Sequence, residues 1–363
     1  MNSVSLIPYA PLPCTTGARV IFLKHLHFLN KQGRCTVASA RQLPVGGGWG
    51  ADIVQDLKGQ GFELVFRNKW GGSSFPYVIG MLYACFFKIL KQEKAFGHSN
   101  LYHRYAFPSD WWYEQTVNKD IAEIHYSYWS RLPCACPKVV VLHDMWSDLM
   151  WEGVRRESAE LALADLIVTV SIEDRDKLIQ RGMKNVHWSP PRVKPLECAD
   201  ASEVCVVASG NHHNVEGLEW LKSSTEKMPT QVHCYGSISD YVGDDDRFLS
   251  EGNYAASSEP YEKCGIVLML TSSGTGVQIK GVEALAHGRV IIARKGAMRG
   301  LPSGEIGWVE VDSPDEMVDV LKKAYRDRQY REKMSLASKE YYKKYLESEV
   351  VDRRLLEKYR ELL

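Results

Sequence analysis

From residue 265 to residue 301 the chain reads GIVLML-TSSGTG-VQIKGVEALAHG-RVIIARKGAMRGL, and this order of patterns admits few folds. Two short apolar runs, 265–270 and 290–293, flank a Ser/Gly loop and a stretch of helical period. Runs this short and apolar throughout are strands covered on both faces, as parallel strands are. The unit is strand, helix, strand, and a mainly parallel sheet follows from it. On the helix Ile279, Val282 and Ala286 fall on one stripe, and Lys280, Glu283 and His287 on another. The core-facing stripe leaves an acid and two basic side chains together, just past a loop carrying Gly274 and Gly276.

Such a loop exposes unpaired backbone N–H groups at the positive end of a helix, where a phosphate binds. Gly and Ser are also favoured at any helix entry, so the loop alone does not decide. Two side chains add to it. Lys280, one turn into the helix, has the reach to return toward an anion, and Glu283 on the same face can accept from two sugar hydroxyls. A cation for phosphate and a carboxylate for a diol describe a nucleotide or nucleotide-sugar site. The bland alternative is a solvated Lys280–Glu283 pair at helical spacing.

On these residues the segment resembles the nucleotide-sugar-binding stretch of GT-B glycosyltransferases, especially the retaining family 4 (glycosyl transferases group 1). Members often show a Gly-rich loop, a helix ending LEA-A-G, then PV-A, and many carry two glutamates separated by seven residues. Glu283 matches the second, which the resemblance assigns to the donor's ribose hydroxyls. The first falls on Thr275, a departure at a position that usually touches the donor sugar. Upstream, Ser209, Gly210 and Asn211, followed by NVEGLEWL, resemble the opening of the family's donor domain. Residues 139–144 (VVVLHD) resemble a first-domain strand ending in His143 at the cleft, and 164–171 (ADLIVTVS) the strand that ends the acceptor domain. Residues and resemblance together give Lys280, His143 and Thr275 as catalytic candidates. Gly17, Gly210, Asn211, Ser273, Gly274, Gly276, Glu283 and Arg299 are the donor-binding candidates.

Residues 189–201 (SPPRVKPLECADA) interrupt the alternation of strands and helices. The expected organisation is an acceptor-binding domain at 1–190, a linker at 191–202, a donor-binding domain at 203–347 and a final helix at 348–363. The expected fold class is α/β: two Rossmann-like, doubly wound parallel-sheet domains facing a cleft. The GT-B resemblance sends the final helix back to the first domain. First-domain strands are expected at 4–9, 35–40, 62–66, 138–142 and 166–170, with helices at 18–31 and 152–164. Second-domain strands are expected at 204–208 and 231–235, and helices at 215–224, 314–326 and 330–345. Gly17 closes the PLPCTTG loop after the first strand, where backbone can approach a ligand. Tyr126, Tyr128 and Trp129 are candidates for stacking on a sugar or for packing. Arg155, Arg156 and Glu157 read as a solvated or interdomain charge cluster, and 244–246 (DDD) as a surface turn.

The length of 363 residues suffices for two substantial cores. Lys+Arg and Asp+Glu both number 45, so no global field advertises a polyanionic partner and general nucleic-acid binding is not expected. Nine cysteines are scattered, several in apolar runs (Cys85, Cys205, Cys234), and the close pair Cys134 and Cys136 lacks the spacing of a zinc site. An odd count without a disulfide framework fits a reducing cytoplasm, and residues 1–10 lack the pattern of a secretory signal. Residues 75–90 are the most apolar helix candidate, too short for a span. They read as a core helix, the alternative being peripheral contact at the inner face of a membrane.

The expected activity is transfer of a sugar from a nucleoside-diphosphate donor to a hydroxyl of a carbohydrate, lipid-linked or other acceptor. The resemblance implies retention, no metal, and no cofactor beyond the nucleotide-sugar substrate. It also implies front-face attack, the departing phosphate taking the acceptor proton. Two alternatives stay open: a nucleotide-sugar epimerase of the same architecture, and a non-catalytic sugar-nucleotide-binding protein, for which the Thr275 departure leaves room.

Overall fold

The computed structural model describes residues 1–7, 17–40, 51–67, 109–149, 153–304 and 306–363. Two compact units emerge, Met1–Ser189 with Asp352–Leu363, and Pro190–Val351. Among the described residues the first holds seven strands: β1 (Ser3–Ile7), β2 (Cys35–Ala40), β3 (Glu63–Arg67), β4 (Ile121–His125), β5 (Lys138–Leu142), β6 (Leu166–Thr169) and β7 (Val186–Trp188). Their order is β3-β2-β1-β4-β5-β6-β7, every pairing parallel. The second holds β8 (Val204–Val207), β9 (Val232–Tyr235), β10 (Phe248–Gly252), β11 (Ile266–Met269), β12 (Val290–Arg294) and β13 (Val309–Val311), ordered β10-β9-β8-β11-β12-β13 and again parallel throughout. Both are the doubly wound Rossmann order, with a switch at β1/β4 and at β8/β11.

The alternation of side chains along each strand builds two cores in the first unit. Ile7, Val37, Ile121, Val139, Val141 and Val168 face one way, under helices Gly17–Gln32 and Ser348–Arg360, the latter contributing Leu355 and Tyr359. Leu6, Ala38, Ala122, Ile124, Val140 and Ile167 face the other, with Trp112, Leu161 and Leu178 of further helices. The last helix thus belongs to the first unit's core, although the second unit lies between them in the chain.

Local chemistry starts the helices where they start. Ser171, Asn211, Ser313 and Asp327 each cap a helix, accepting from the backbone N–H three residues on. Pro314 then takes a first-turn position, where its missing N–H costs nothing. Residues 190–203 carry no regular structure yet are tied into the second unit. Val193 O accepts from the Tyr342 hydroxyl (2.6 Å), Ala199 O from Arg289 (2.9 Å), and Asp200 meets Arg331 in two bonds of 2.9 Å. Residues 8–16, the body of the loop before Gly17, and residues 75–90 with Cys85 lie outside the described residues; Gly17 itself opens the helix Gly17–Gln32. Among the described residues no helix is long and apolar enough to cross a membrane.

Candidate functional site

In the second unit the carboxyl ends of β8 and β11 lie side by side at the switch of the sheet, where open α/β sheets take ligands. The turn after β8 is tight. Gly210 N–H donates to Ser237 Oγ at 2.8 Å, and a Cβ there would stand 2.5 Å from the Tyr241 ring. Asn211 then caps the helix His212–Lys222, its Oδ1 accepting from Asn214 N at 3.0 Å. Asn214 ties this turn to the other strand. Its Nδ2 donates to Ser209 O (2.8 Å), and its Oδ1 accepts from the Thr271 hydroxyl (2.7 Å). A second tie joins His213 Nδ1 and Ser273 Oγ at 2.9 Å.

The loop after β11 takes its shape from glycine. Gly274 and Gly276 have φ of 127° and 67°, a region closed to most side chains. A Cβ on Gly274 would lie 2.5 Å from the Arg299 guanidinium, so the loop wraps directly over that cation. Arg299 Nη1 donates to Thr271 O at 3.0 Å, and the Gln278 amide, its oxygen turned toward Arg299, accepts from Nη1 at 3.2 Å and also from Nη2. Arg299 therefore braces the loop as well as charging it. Helix Ile279–Ala286 follows, with Gln278 giving no side-chain cap and no acid in the first turn. Its positive end is thus left without the usual side-chain capping.

Lys280 and Glu283 sit on this helix as expected, half-buried, while Val282 and Ala286 are buried. Burial around the Lys280 ammonium lowers its pKa to about 8, against the pull of Glu283. Glu283 has a partner that the sequence did not announce. The hydroxyl of fully buried Tyr261 lies 3.0 Å from its Oε2 and 3.2 Å from Lys280 O. Burial, and then the Glu283 carboxylate, push the Tyr261 phenol well up, so it stays a donor. His287 leaves the group: it is buried, and its Nδ1 accepts from Leu196 N at 3.2 Å.

Gly210, Asn211, Ser273, Gly274, Thr275, Gly276, Lys280, Glu283 and Arg299 all belong to the second unit, and Gly17 and His143 to the first. Sequence reasoning missed Tyr261, His213, Asn214 and Thr271. Asn214 carried a signal, standing three residues beyond a capping Asn; Tyr261 carried none, because it comes from the separate short helix Glu259–Lys263. Asp245 pairs with Arg247 at 2.7 Å, and among the described residues no group of three or more His, Cys, Asp or Glu could hold a metal ion.

In the first unit His143 follows β5 and is buried beside Tyr126, their rings 4.6 Å apart. Tyr126 itself follows β4 with a φ of 73°, strain of the kind that collects at functional positions. Trp129 is in the core, 3% exposed, and the side chain of Tyr128 lies outside the described residues. The charge cluster of Arg155, Arg156 and Glu157 needs correction. Glu157 is buried and structural, accepting from Ser127 Oγ at 3.0 Å and Ser147 N at 3.1 Å, whereas Arg155 is exposed.

By sequence the chain matches no family model and no curated protein. By structure it is similar over its length to sucrose-phosphate synthase from Thermosynechococcus elongatus (TM-score 0.68, 13% identity, 100% of this chain and 99% of that one). It is similar to TarM from S. aureus (TM-score 0.66, 10% identity, 99% of each chain). It is also similar to HepE from Anabaena, solved with UDP-glucose (TM-score 0.63, 12% identity, 99% of each chain). Two Rossmann-ordered parallel sheets, a last helix returned to the first unit and likeness to these structures over the full length together give the chain the GT-B fold.

Proposed function

We propose that the protein is a glycosyltransferase that moves a sugar from a nucleoside-diphosphate donor to an acceptor hydroxyl, with retention and without a metal. The observation that carries this reading is the Ser273–Gly276 loop at the β8/β11 switch, followed one turn later by Lys280 and Glu283. Glu283, steadied by Tyr261, takes the ribose hydroxyls, and the loop N–H groups with Lys280 and Arg299 take the diphosphate. Breaking the anomeric bond builds charge on that diphosphate, so donors already fixed in place stabilise the transition state most. These cations and the helix end supply the neutralisation that a metal gives elsewhere. The acceptor is assigned to the first unit, at the carboxyl edge of β4 and β5, where His143 meets a sugar hydroxyl.

Thermal-shift measurements with UDP, GDP and UDP-glucose test the donor half, because a ligand that binds the folded state stabilises it by mass action. At least one should raise the melting temperature, and no shift with any of them rejects the reading. Sugar transfer to an added acceptor, rather than an isomerised donor, separates a transferase from an epimerase. Slow donor hydrolysis by the purified protein counts against a non-catalytic binder.

A further inference from the structure

Glu123 and His125 stand in β4, at the middle of the first unit's sheet, among the fully buried Ile121, Ala122 and Ile124. A carboxylate there is tolerable only if its oxygens are satisfied. They are. Oε1 lies 3.2 Å from His125 Nε2, Oε2 lies 3.3 Å from His25 Nδ1, and the Tyr359 hydroxyl of the last helix also donates to Oε2. Burial alone would raise this carboxyl, but the facing His25 and His125 hold it well below the usual range.

An ionised carboxylate only accepts hydrogen bonds. His125 must therefore carry a proton on Nε2, and a ring protonated there alone leaves Nδ1 bare. That nitrogen is 2.8 Å from His143 Nε2. Two bare nitrogens cannot face each other at this distance, so His143 carries its proton on Nε2 and donates it. Burial lowers His143 well below an ordinary histidine, so the ring stays neutral. Its Nδ1 is then a lone pair, buried and, among the described residues, with no hydrogen-bond partner. Buried acceptors are seldom left so. The line Glu123, His125, His143 climbs β4 and crosses to the end of β5, toward the carboxyl edge of the sheet.

We propose that Glu123 and His125 are positioning residues that lock His143 as the Nε2–H tautomer, so that its Nδ1 lone pair is the acceptor for a hydroxyl of a carbohydrate ligand. The hydroxyl partner rests on the reading of this unit as the acceptor side; the lock itself does not. Long-range 1H–15N spectra of the full-length protein with labelled histidine test it, His143 being assigned from the signal lost in His143→Gln. The unliganded wild type should show protonated Nε2 and bare Nδ1 at His143 from about pH 6 to pH 8, the range in which a free histidine titrates. His125→Leu should scramble the His143 tautomers, and His125→Gln, whose amide can still accept from His143 and donate to Glu123, should restore the wild-type pattern. Protonated Nδ1 or an imidazolium in the wild type overturns the lock, as does an unchanged His143 pattern in His125→Leu. The wild-type spectrum decides even if His125→Leu fails to fold. None of these readouts needs turnover, so loss of UDP binding or of sugar transfer would sink the functional reading and leave the lock standing.

Discussion

At the residue scale, the helix Ile279–Ala286 separates two kinds of charge. Glu283 is half-buried and already holds one donor, Tyr261, so the ribose contact proposed for it starts from a side chain already fixed in place. Glu283→Ala should weaken nucleotide binding by about 1.5–3 kcal/mol, roughly tenfold to a hundredfold, and Glu283→Gln by less because the amide oxygen still accepts. Titration calorimetry with UDP or GDP checks this, and equal affinity in the alanine variant removes Glu283 from the site. Lys280→Ala should lower turnover by about 10²–10³-fold, the scale of one lost transition-state donor, with Lys280→Arg recovering part of it. A pH effect follows from the lowered Lys280 pKa of about 8. In the unfolded chain the amine keeps its proton to higher pH, so between about pH 8 and its ordinary value the unfolded state binds more protons. Stability from this group therefore rises with pH across that window and is lowest where both states are charged. Affinity for a diphosphate runs the opposite way. It should fall as pH rises through about 8, because the bare amine no longer attracts the anion. Lys280→Met should flatten that slope, and a slope that survives the substitution belongs to another group.

At the scale of elements, the helix His212–Lys222 packs against the end of β11 through a missing side chain. A Cβ at Gly217 would meet Leu270 Cβ and O at 2.9 Å, and backbone does not yield as a flexible tip would. Gly217→Ala should destabilise the protein by about 1–3 kcal/mol. Gly59→Ala, with nothing within 4 Å, should be neutral or slightly stabilising. Urea melts of the two variants check the contrast. What the sequence made legible follows the same division between continuous and interrupted patterns. Strands β2 and β5 were readable to the residue, and Pro314–Arg326 likewise: β5 by the run VVVL, β2 by small and β-branched residues throughout, and the helix by its Ser-Pro-Asp-Glu start. The central strand β4 escaped, since Glu123 and His125 break its apolar run just where the buried network needs them. Strands β7, β10 and β13 escaped as short or half-exposed edge segments. The glycine loop before the helix Ile279–Ala286 was legible because its parts are neighbours in sequence; the Tyr261–Glu283 and Asn214–Thr271 bonds join residues 22 and 57 apart, and no local pattern encodes them.

At the scale of the whole molecule, the first unit is discontinuous in the chain, and its closing piece is small. Leu355 is fully buried in that core, so Leu355→Ala should cost about 2–5 kcal/mol of the first unit's stability. Differential scanning calorimetry should show the first unit's transition lowered while the transition that a bound nucleotide raises stays in place. A shift of both by the same amount would mean that the units unfold as one. The interleaving also sets a timetable for synthesis. When Ser189 leaves the ribosome, strands β1 to β7 have all been made, yet the place of Leu355 and Tyr359 is vacant. At common elongation rates the nascent chain waits on the order of ten to thirty seconds for them, long enough for Pro190–Val351 to fold first. The half made first is thus the half finished last, and in that interval its uncovered apolar face is the surface most open to unwanted association.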